Sequence, residues 1–167
     1  MVQYILIFPQ RFYVKFLLFL LFFIFSLMLH ADRVEITSTL MKAENLKKEV
    51  HFIGDAKIQK GEDKLHADTV IVYFDDQNRT HMYEAIGKVT FTLHNKNNKY
   101  IGKANKVTYY PLTLVYVLEG KAIIDDVENK RHVNGDKIYL DMKTNDVRVS
   151  GSKKKPVKFI FDVEEKK

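Results

Sequence analysis

One short phrase occurs three times in the chain: Phe52-Ile-Gly-Asp-Ala-Lys-Ile58, Ala85-Ile-Gly-Lys-Val-Thr-Phe91 and Leu118-Glu-Gly-Lys-Ala-Ile-Ile124. Its central glycines, Gly54, Gly87 and Gly120, lie 33 residues apart both times. A fixed period of this length is typical of stacked supersecondary units that bury their apolar faces against their neighbours. The repeat therefore predicts a function spread along a shared face, and not one concentrated in a single catalytic pocket.

A second phrase alternates with the first: Leu65-His-Ala-Asp-Thr-Val-Ile-Val72, Gly102-Lys-Ala-Asn-Lys-Val-Thr-Tyr109 and Val133-Asn-Gly-Asp-Lys-Ile-Tyr-Leu140. Both phrases are rich in Val, Ile, Thr, Tyr and Phe, and polar turn formers separate them at 60–63, 75–79, 95–98 and 125–129. Strand-like runs at this spacing are typical of an all-β sandwich, roll or barrel. We therefore predict an all-β fold built from repeated strand units.

Period-2 alternation along each phrase predicts which side chains share a face. One face collects the apolar positions Ala56, Ile58, Val89, Phe91, Ala122 and Ile124 from the first phrase, and Val70, Val72, Val107, Tyr109, Ile138 and Leu140 from the second. We expect Phe52, Ile71 and Val133 to be plain core. The pattern itself leaves two readings open, a stripe that stays accessible to a ligand and the closed core of a small sandwich.

The three glycines are flanked on both sides by strand-like residues. Glycine inside a strand weakens it and usually marks a bulge, a bend or a close backbone approach. Because Gly54, Gly87 and Gly120 occupy the same place in each repeat, we predict that they are structural glycines at which the strands bend.

The N-terminus resembles an export signal. Arg11 and Lys15 precede an apolar run over 16–29, and a small residue, Ala31, ends the segment. These features predict a signal peptide over 1–31 and a single domain over 32–167. An uncleaved membrane anchor is the alternative, although the run is shorter than the roughly 20 residues that span a bilayer core.

Composition excludes several classes of function. The net charge is +6, and without 1–31, which holds two of the 27 cations, it is 25 − 21 = +4. Nucleic-acid binding requires a concentrated basic face, whereas the only basic clusters lie near the C-terminus, so we predict no nucleic-acid partner. The chain has no cysteine and therefore no disulfide.

No chemistry-bearing motif is present. The five histidines after residue 31 lack the spacing of metal ligands, and the pairs Asp75-Asp76 and Asp125-Asp126 fall in predicted turns. There is no nucleophile elbow and no phosphate-binding loop. We predict no enzyme, no cofactor and no metal site.

Several motifs, in this order, resemble those of the OstA-like family: Val34-Glu-Ile36, Phe52-Ile-Gly-Asp-Ala, Leu65-His-Ala-Asp, Gly87-Lys-Val, Gly102-Lys-Ala, Leu118-Glu-Gly-Lys-Ala and Val133-Asn-Gly-Asp-Lys-Ile. The likeness covers 33–151. It implies an open antiparallel β-jellyroll whose apolar interior holds the acyl chains of lipopolysaccharide. The family's Gly-Asn-Val phrase here reads Gly-Asp-Ala, Gly-Lys-Val and Gly-Lys-Ala, a change at a water-facing position.

The resemblance also implies partners and a place. Members of the family act in the periplasm and join end to end between an inner-membrane export complex and an outer-membrane translocon, so we expect a head-to-tail homo-oligomer. By motif position the lipid contacts fall on Val34, Ile36, Phe91 and Tyr109. Together with the alternation they give the predicted lipid-binding groove: Val34, Ile36, Ile58, Val72, Phe91, Val107, Tyr109, Ile138 and Leu140.

Two alternatives remain open at this point. One is a membrane-anchored, LptC-like component of the same export pathway, and the other is an enzyme or sugar-binding jellyroll. The segments Val34-Glu-Ile-Thr37 and 157–163 predict strands at the two ends of the domain, where unpaired edges invite strand addition from another chain. Pairing of both segments within one chain is equally compatible with the sequence.

Overall fold

A computed structural model describes residues 33–95 and 98–162, and the predicted export signal over 1–31 lies outside these residues. All elements of the described part are strands, as predicted: β1 (Val34–Thr37), β2 (Leu40–Glu44), β3 (Glu49–Lys60), β4 (Asp63–Phe74), β5 (Thr80–Asn95), β6 (Asn98–Tyr110), β7 (Val115–Asp126), β8 (Arg131–Asp141), β9 (Asp146–Ser150) and β10 (Lys158–Phe161). No helix of this part is long and apolar enough to cross a membrane.

The strands form one open antiparallel sheet in the order β1-β3-β4-β5-β6-β7-β8-β10. At the N-terminal edge β1 and β2 pair with different halves of β3, and at the C-terminal edge β10 and β9 pair with different halves of β8. Each edge therefore consists of two short strands, which pair with successive halves of the same long strand. The two terminal segments pair within the chain on one side, and no strand of the described residues pairs with their other side.

Each long hairpin is bent near its middle by a β-bulge. The pairing register shifts at Gly54, Gly87 and Gly120, where φ is between +76° and +84°. The next residue also has positive φ at each site, although it is Asp or Lys, which adds local strain. The bulges are the local consequence of placing glycine inside a strand.

Gly87 and Gly120 pack beneath a side chain of the preceding strand, and Gly54 packs beneath Thr39, which joins β1 to β2. A Cβ atom at Gly54 would lie 3.0 Å from Thr39 Oγ1, and one at Gly87 would lie 2.3 Å from Asp68 Oδ2. Close approach and positive φ therefore both require glycine at these positions.

The bulges divide the sheet into two halves. Half-sheet A contains β1, β10 and the segments 56–60, 63–67, 89–95, 98–104, 122–126 and 131–135. Half-sheet B contains β2, β9 and the segments 49–53, 69–74, 80–86, 106–110, 115–119 and 137–141. Their inner faces contribute to a single hydrophobic cluster, in which Ala56 and Phe91 belong to half-sheet A and Val70 and Leu140 to half-sheet B. The domain is therefore a bent sheet folded around one apolar interior.

Candidate functional site

A continuous row of side chains crosses the inner face of half-sheet A. Direct register partners on successive strands give the sequence Ile36, Ile58, Leu65, Phe91, Gly102, Ile124, Val133 and Phe159. Side chains at such positions lie about 5 Å from their neighbours and contact each other along the whole row. Eight strands give seven steps of about 4.8 Å, so the row is about 34 Å long.

Gly102 is the one position of this row without a side chain. A Cβ atom there would lie 2.2 Å from Cζ of Phe91 and 2.7 Å from the carbonyl oxygen of Ile123. The Phe91 ring thus lies over Gly102 and fills the place that its side chain would take, so the row remains apolar without interruption.

Two further rows cross the inner face of half-sheet B, each contributed by eight strands. The first consists of Met41, Phe52, Val70, Ala85, Val107, Leu118, Ile138 and Val149. The second consists of Ala43, Val50, Val72, Tyr83, Tyr109, Tyr116, Leu140 and Val147. The interior is therefore lined lengthwise by three apolar rows that run from one edge of the sheet to the other.

Three tyrosines stack in the middle of the second of these rows. The ring centroids of Tyr83 and Tyr109 are 6.0 Å apart, and those of Tyr109 and Tyr116 are 4.2 Å apart. Burial raises the pKa of Tyr109 and of Tyr116 above the ordinary tyrosine value, and the two hydroxyls hydrogen-bond to each other. The stack gives the interior a wide aromatic surface.

Burial changes along the rows. In the middle strands Val70, Val107, Leu118 and Ile138 are fully buried against one another. Toward the edges exposure rises, and Met41 is 60 % and Phe159 52 % exposed, whereas Ile36 and Val149 at the other ends of the same rows still pack against the core. The interior is thus filled by its own side chains in the middle and open at its ends.

A cavity of about 720 Å³ opens between the half-sheets at the C-terminal edge. Its floor is apolar and comes from both half-sheets: Ile124, Val133 and Phe159 from half-sheet A, and Leu140 and Val147 from half-sheet B. Its rim carries polar side chains from the strand ends and turns: Asn95, Asn98, Asp126, Asn129, Arg131 and Asn145. An apolar floor below a polar rim suits an amphipathic ligand.

One polar contact joins the rims of the two half-sheets beside this cavity. The side-chain amide of Asn95, at the end of β5, donates to the carbonyl oxygen of Met142 at 3.2 Å and to Oδ1 of Asn145 at 2.8 Å. We call this pair of hydrogen bonds the rim contact. Both asparagines also line the cavity.

The nine residues of the predicted groove all lie on the inner faces. Val72, Phe91, Val107, Ile138 and Leu140 are buried, Ile36 and Ile58 pack against the core, Tyr109 is half-buried in the tyrosine stack, and Val34 is exposed at the N-terminal edge. Leu140 is the one that also lines the C-terminal cavity. Whether these residues bind lipid remains a prediction.

One of the three core assignments was wrong. Ile71 lies on the outer face opposite His51 and Glu84, because it is out of phase with Val70 and Val72. Val133 packs against the core but also lines the cavity, and Phe52 packs against the core as expected.

Sequence reasoning missed two groups of residues in the site. Tyr83 and Tyr116 are two residues before Ala85 and Leu118, so extending the alternation would have found them. The rim residues Asn95, Arg131 and Asn145 gave no comparable sign, since Asn and charged residues near turns are ordinary turn formers.

Four of the five histidines of the described residues, His51, His66, His94 and His132, pair with carboxylates, whereas the His81 ring lies beside Tyr73. His66 contacts Asp55 at 2.6 Å, and His132 contacts Asp125 at 2.6 Å. Within 33–95 and 98–162 no group of three His, Cys, Asp or Glu side chains could hold a metal ion.

Comparison with known proteins gives one family and a similar fold. The family described as LptA/(LptD N-terminal domain) LPS transport protein matches residues 29–146. The crystal structure of LptH, described as the LptA homologous periplasmic component of the lipopolysaccharide transport device of Pseudomonas aeruginosa, superposes with a TM-score of 0.71 at 13 % identity, over 79 % of this chain and 96 % of that one. No curated protein sequence matched.

Proposed function

This chain belongs to the LptA/LptD N-terminal domain family of lipopolysaccharide transport proteins, and we propose that it carries lipopolysaccharide across the periplasm with the acyl chains held between half-sheets A and B. The family accounts for the pathway and for a transport role in place of an enzymatic one. The proposed ligand site is the interior bounded by the three apolar rows, and the observation that carries the proposal is the C-terminal cavity, whose floor consists of residues from the row of half-sheet A and from the second row of half-sheet B.

The energetics of acyl chains require a surface of this kind. Burying one methylene is worth about 0.8 kcal/mol, so exposing a 12-carbon chain to water costs on the order of 9 kcal/mol. A lipid that crosses an aqueous space therefore needs apolar contact along its route. Rows about 34 Å long supply that contact without a tight terminal pocket.

Loading begins, in this proposal, at the C-terminal cavity, where Val147 and Phe159 are already exposed. Acyl chains rest on the apolar floor, and Arg131 and the rim asparagines face the phosphates and sugars of the head group. Passage toward the middle strands requires the half-sheets to separate, because the side chains of the packed core occupy that space. The predicted contacts at Val72, Phe91, Val107, Tyr109 and Ile138 then become lipid contacts.

The two edges of the sheet fit end-to-end assembly. β10 and β1 are each four residues long, and β9 and β2 are each five. Since every neighbouring pair in the sheet is antiparallel, β10 and β9 of one copy can pair with β1 and β2 of the next in the same alternation. The exposed ends of the apolar rows would then become buried in a continuous interior.

Such an assembly would reach between the two membranes, with an inner-membrane export complex and an outer-membrane translocon as its terminal partners. Export of the chain would depend on the predicted signal over 1–31. N-terminal sequencing of the protein from the cell envelope tests this part. A start at Asp32 supports a free periplasmic carrier, whereas a retained 16–29 segment indicates a membrane-anchored component.

A photo-crosslinker placed at Phe159 tests the lipid site. Ile160 is the matched control, because it lies on the same strand with similar exposure, 46 % against 52 %, but on the opposite face. We expect lipopolysaccharide to be crosslinked from position 159 and not from position 160. Equal crosslinking from both positions would contradict a site between the half-sheets.

A further inference from the structure

The outer side of the bend carries a row of polar residues with an unusual order of charges. At each bulge two residues of one strand lie beside a single residue of the next strand. In strand order from β3 to β8 the row consists of Asp55, Asp68, Lys88, Asn105, Lys121 and Asp136. Acidic residues thus occupy both ends of this row, and the two lysines occupy its middle.

The middle of the row differs from its ends at one equivalent position. The second phrase places Asp68, Asn105 and Asp136 at the same point of each repeat, and Asn105 is the one without a carboxylate. It lies between Lys88 and Lys121, and its side chain packs over Gly120, where a Cβ atom would lie 2.6 Å from Asn105 Nδ2. Neither lysine therefore has an acidic residue on the side that faces Asn105.

A pocket of about 260 Å³ lies at this point on the outer surface. Three lysines line it, Lys88, Lys103 and Lys121, together with Thr90 and Asn105. Among the described residues none of the three ammonium groups forms an ion pair or side-chain hydrogen bond. Asp68 and Asp136, the next members of the row on either side of the two lysines, do not line the pocket.

In the first repeat the cations at the equivalent bulge are paired with an acidic residue. Asp55 occupies the bulge position that Lys88 and Lys121 take in the later repeats, and it contacts Lys57 Nζ at 2.7 Å and His66 Nε2 at 2.6 Å. These contacts lower the pKa of Asp55, with the Lys57 hydrogen bond as the larger cause. The cations near the first bulge are thus satisfied internally, whereas those around Asn105 are not.

We propose that the pocket around Asn105 binds a phosphate-type anion, either free or as part of a lipid head group. Three ammonium groups supply the charge, and the Asn105 amide and the Thr90 hydroxyl supply further donors. The site lies on the outside of the bend, whereas the acyl chains are placed in the interior, so it is independent of the proposed lipid site.

The Asn105→Asp variant tests the proposal with a nearly isosteric change. The fold accepts Asp at this position in both other repeats, so the variant should fold normally. Its carboxylate would pair with the lysines and repel an anion, and we expect phosphate affinity to fall by about tenfold. Removing one lysine, as in Lys88→Ala or Lys121→Ala, should cost about twofold to fivefold. Asn45→Asp, in an exposed turn, adds the same charge elsewhere and should leave affinity unchanged.

Amide NMR of the purified protein, titrated with inorganic phosphate against chloride at equal ionic strength, gives the readout. Saturable shifts at Asn105, Lys88 and Lys121 that disappear in Asn105→Asp and persist in Asn45→Asp support the site. Vesicles of phosphatidylglycerol, with phosphatidylcholine vesicles as the neutral control, distinguish the sources. If Asn105→Asp abolishes binding to the phosphatidylglycerol vesicles, the anion bound in the pocket is a lipid head group. No saturable response to either probe, or the same response in both variants, would overturn the proposal.

Discussion

The middle of the interior and its C-terminal end are built from the same rows but differ in packing. Around Leu118 and Ile138 the half-sheets meet and bury their side chains completely, whereas around Val147 and Phe159 they stand apart and enclose a cavity of about 720 Å³. The middle strands have neighbours on both sides, and the edge strands on one. The packed middle holds the fold together and the end leaves room for the proposed ligand, although one apolar pattern encodes both.

Introducing a carboxylate should produce the largest difference in stability loss between the packed middle and the C-terminal end. Ile138→Asp places an ionisable group in the packed middle, and burial penalties of several pKa units make the expected loss of unfolding free energy about 5 kcal/mol. Val147→Asp, at a half-exposed position of the same inner face, should cost about 1 kcal/mol or less and weaken lipopolysaccharide binding instead. Urea unfolding and a lipid-binding assay measure both effects. Similar stability losses would contradict the distinction between middle and end.

Locking the rim contact should keep lipid out of the middle. The chain has no native cysteine, so an Asn95→Cys and Asn145→Cys pair can be joined by a short thiol crosslinker without competing thiols. We expect at least about tenfold weaker lipopolysaccharide binding in the joined protein, or about 1.4 kcal/mol, and recovery when the crosslinker is cleaved. Undiminished binding by the joined protein would show that loading needs no separation of the half-sheets.

The bend requires glycine for two reasons that a pair of variants separates. Gly87→Ala adds a Cβ at positive φ that lies 2.3 Å from Asp68, whereas Gly61→Ala adds one at positive φ with nothing within 4 Å. We expect Gly87→Ala to lower the unfolding free energy by about 2 kcal/mol and Gly61→Ala by about 1 kcal/mol. Equal losses, measured by thermal unfolding, would show that close packing beneath Asp68 contributes nothing.

The tyrosine stack should give the smallest effect. The pKa of Tyr116 is raised in the fold, so the neutral phenol is favoured and its contribution is fully present below the unfolded value of about 10. Stability is then lost as the pH rises above 10. Tyr116→Phe should show a smaller loss between about pH 9 and pH 11 than the native chain. An unchanged pH dependence in the variant would indicate that the stack is open to water.

Sequence reasoning predicted the parts that follow from short-range rules. The alternation placed Val70, Ile138 and Leu140 on one face, because neighbouring side chains in a strand must point to opposite sides. The same rule failed at Ile71, where three consecutive apolar residues hide the phase of the strand. The family resemblance supplied the open jellyroll and the pathway, and the family match supports both.

Long-range geometry could not be predicted in this way. The meeting of Asn95 with Met142 and Asn145 joins residues that are 47 and 50 positions apart, and it depends on how far the sheet bends at each bulge. The depth of packing in the middle likewise depends on side-chain volumes from both half-sheets together. The alternation therefore identified the lining of the interior but not which part of it is open.

Intermolecular NOEs between the acyl chains of lipid A and the protein's methyl groups test the central claim most directly. The account predicts NOEs to the inner-face methyls of Val133, Leu140 and Val147, and none to those of Ile101 and Ile123 on the outer face of half-sheet A. Binding with NOEs to the outer-face methyls alone, or to both faces equally, would contradict an acyl site between the half-sheets.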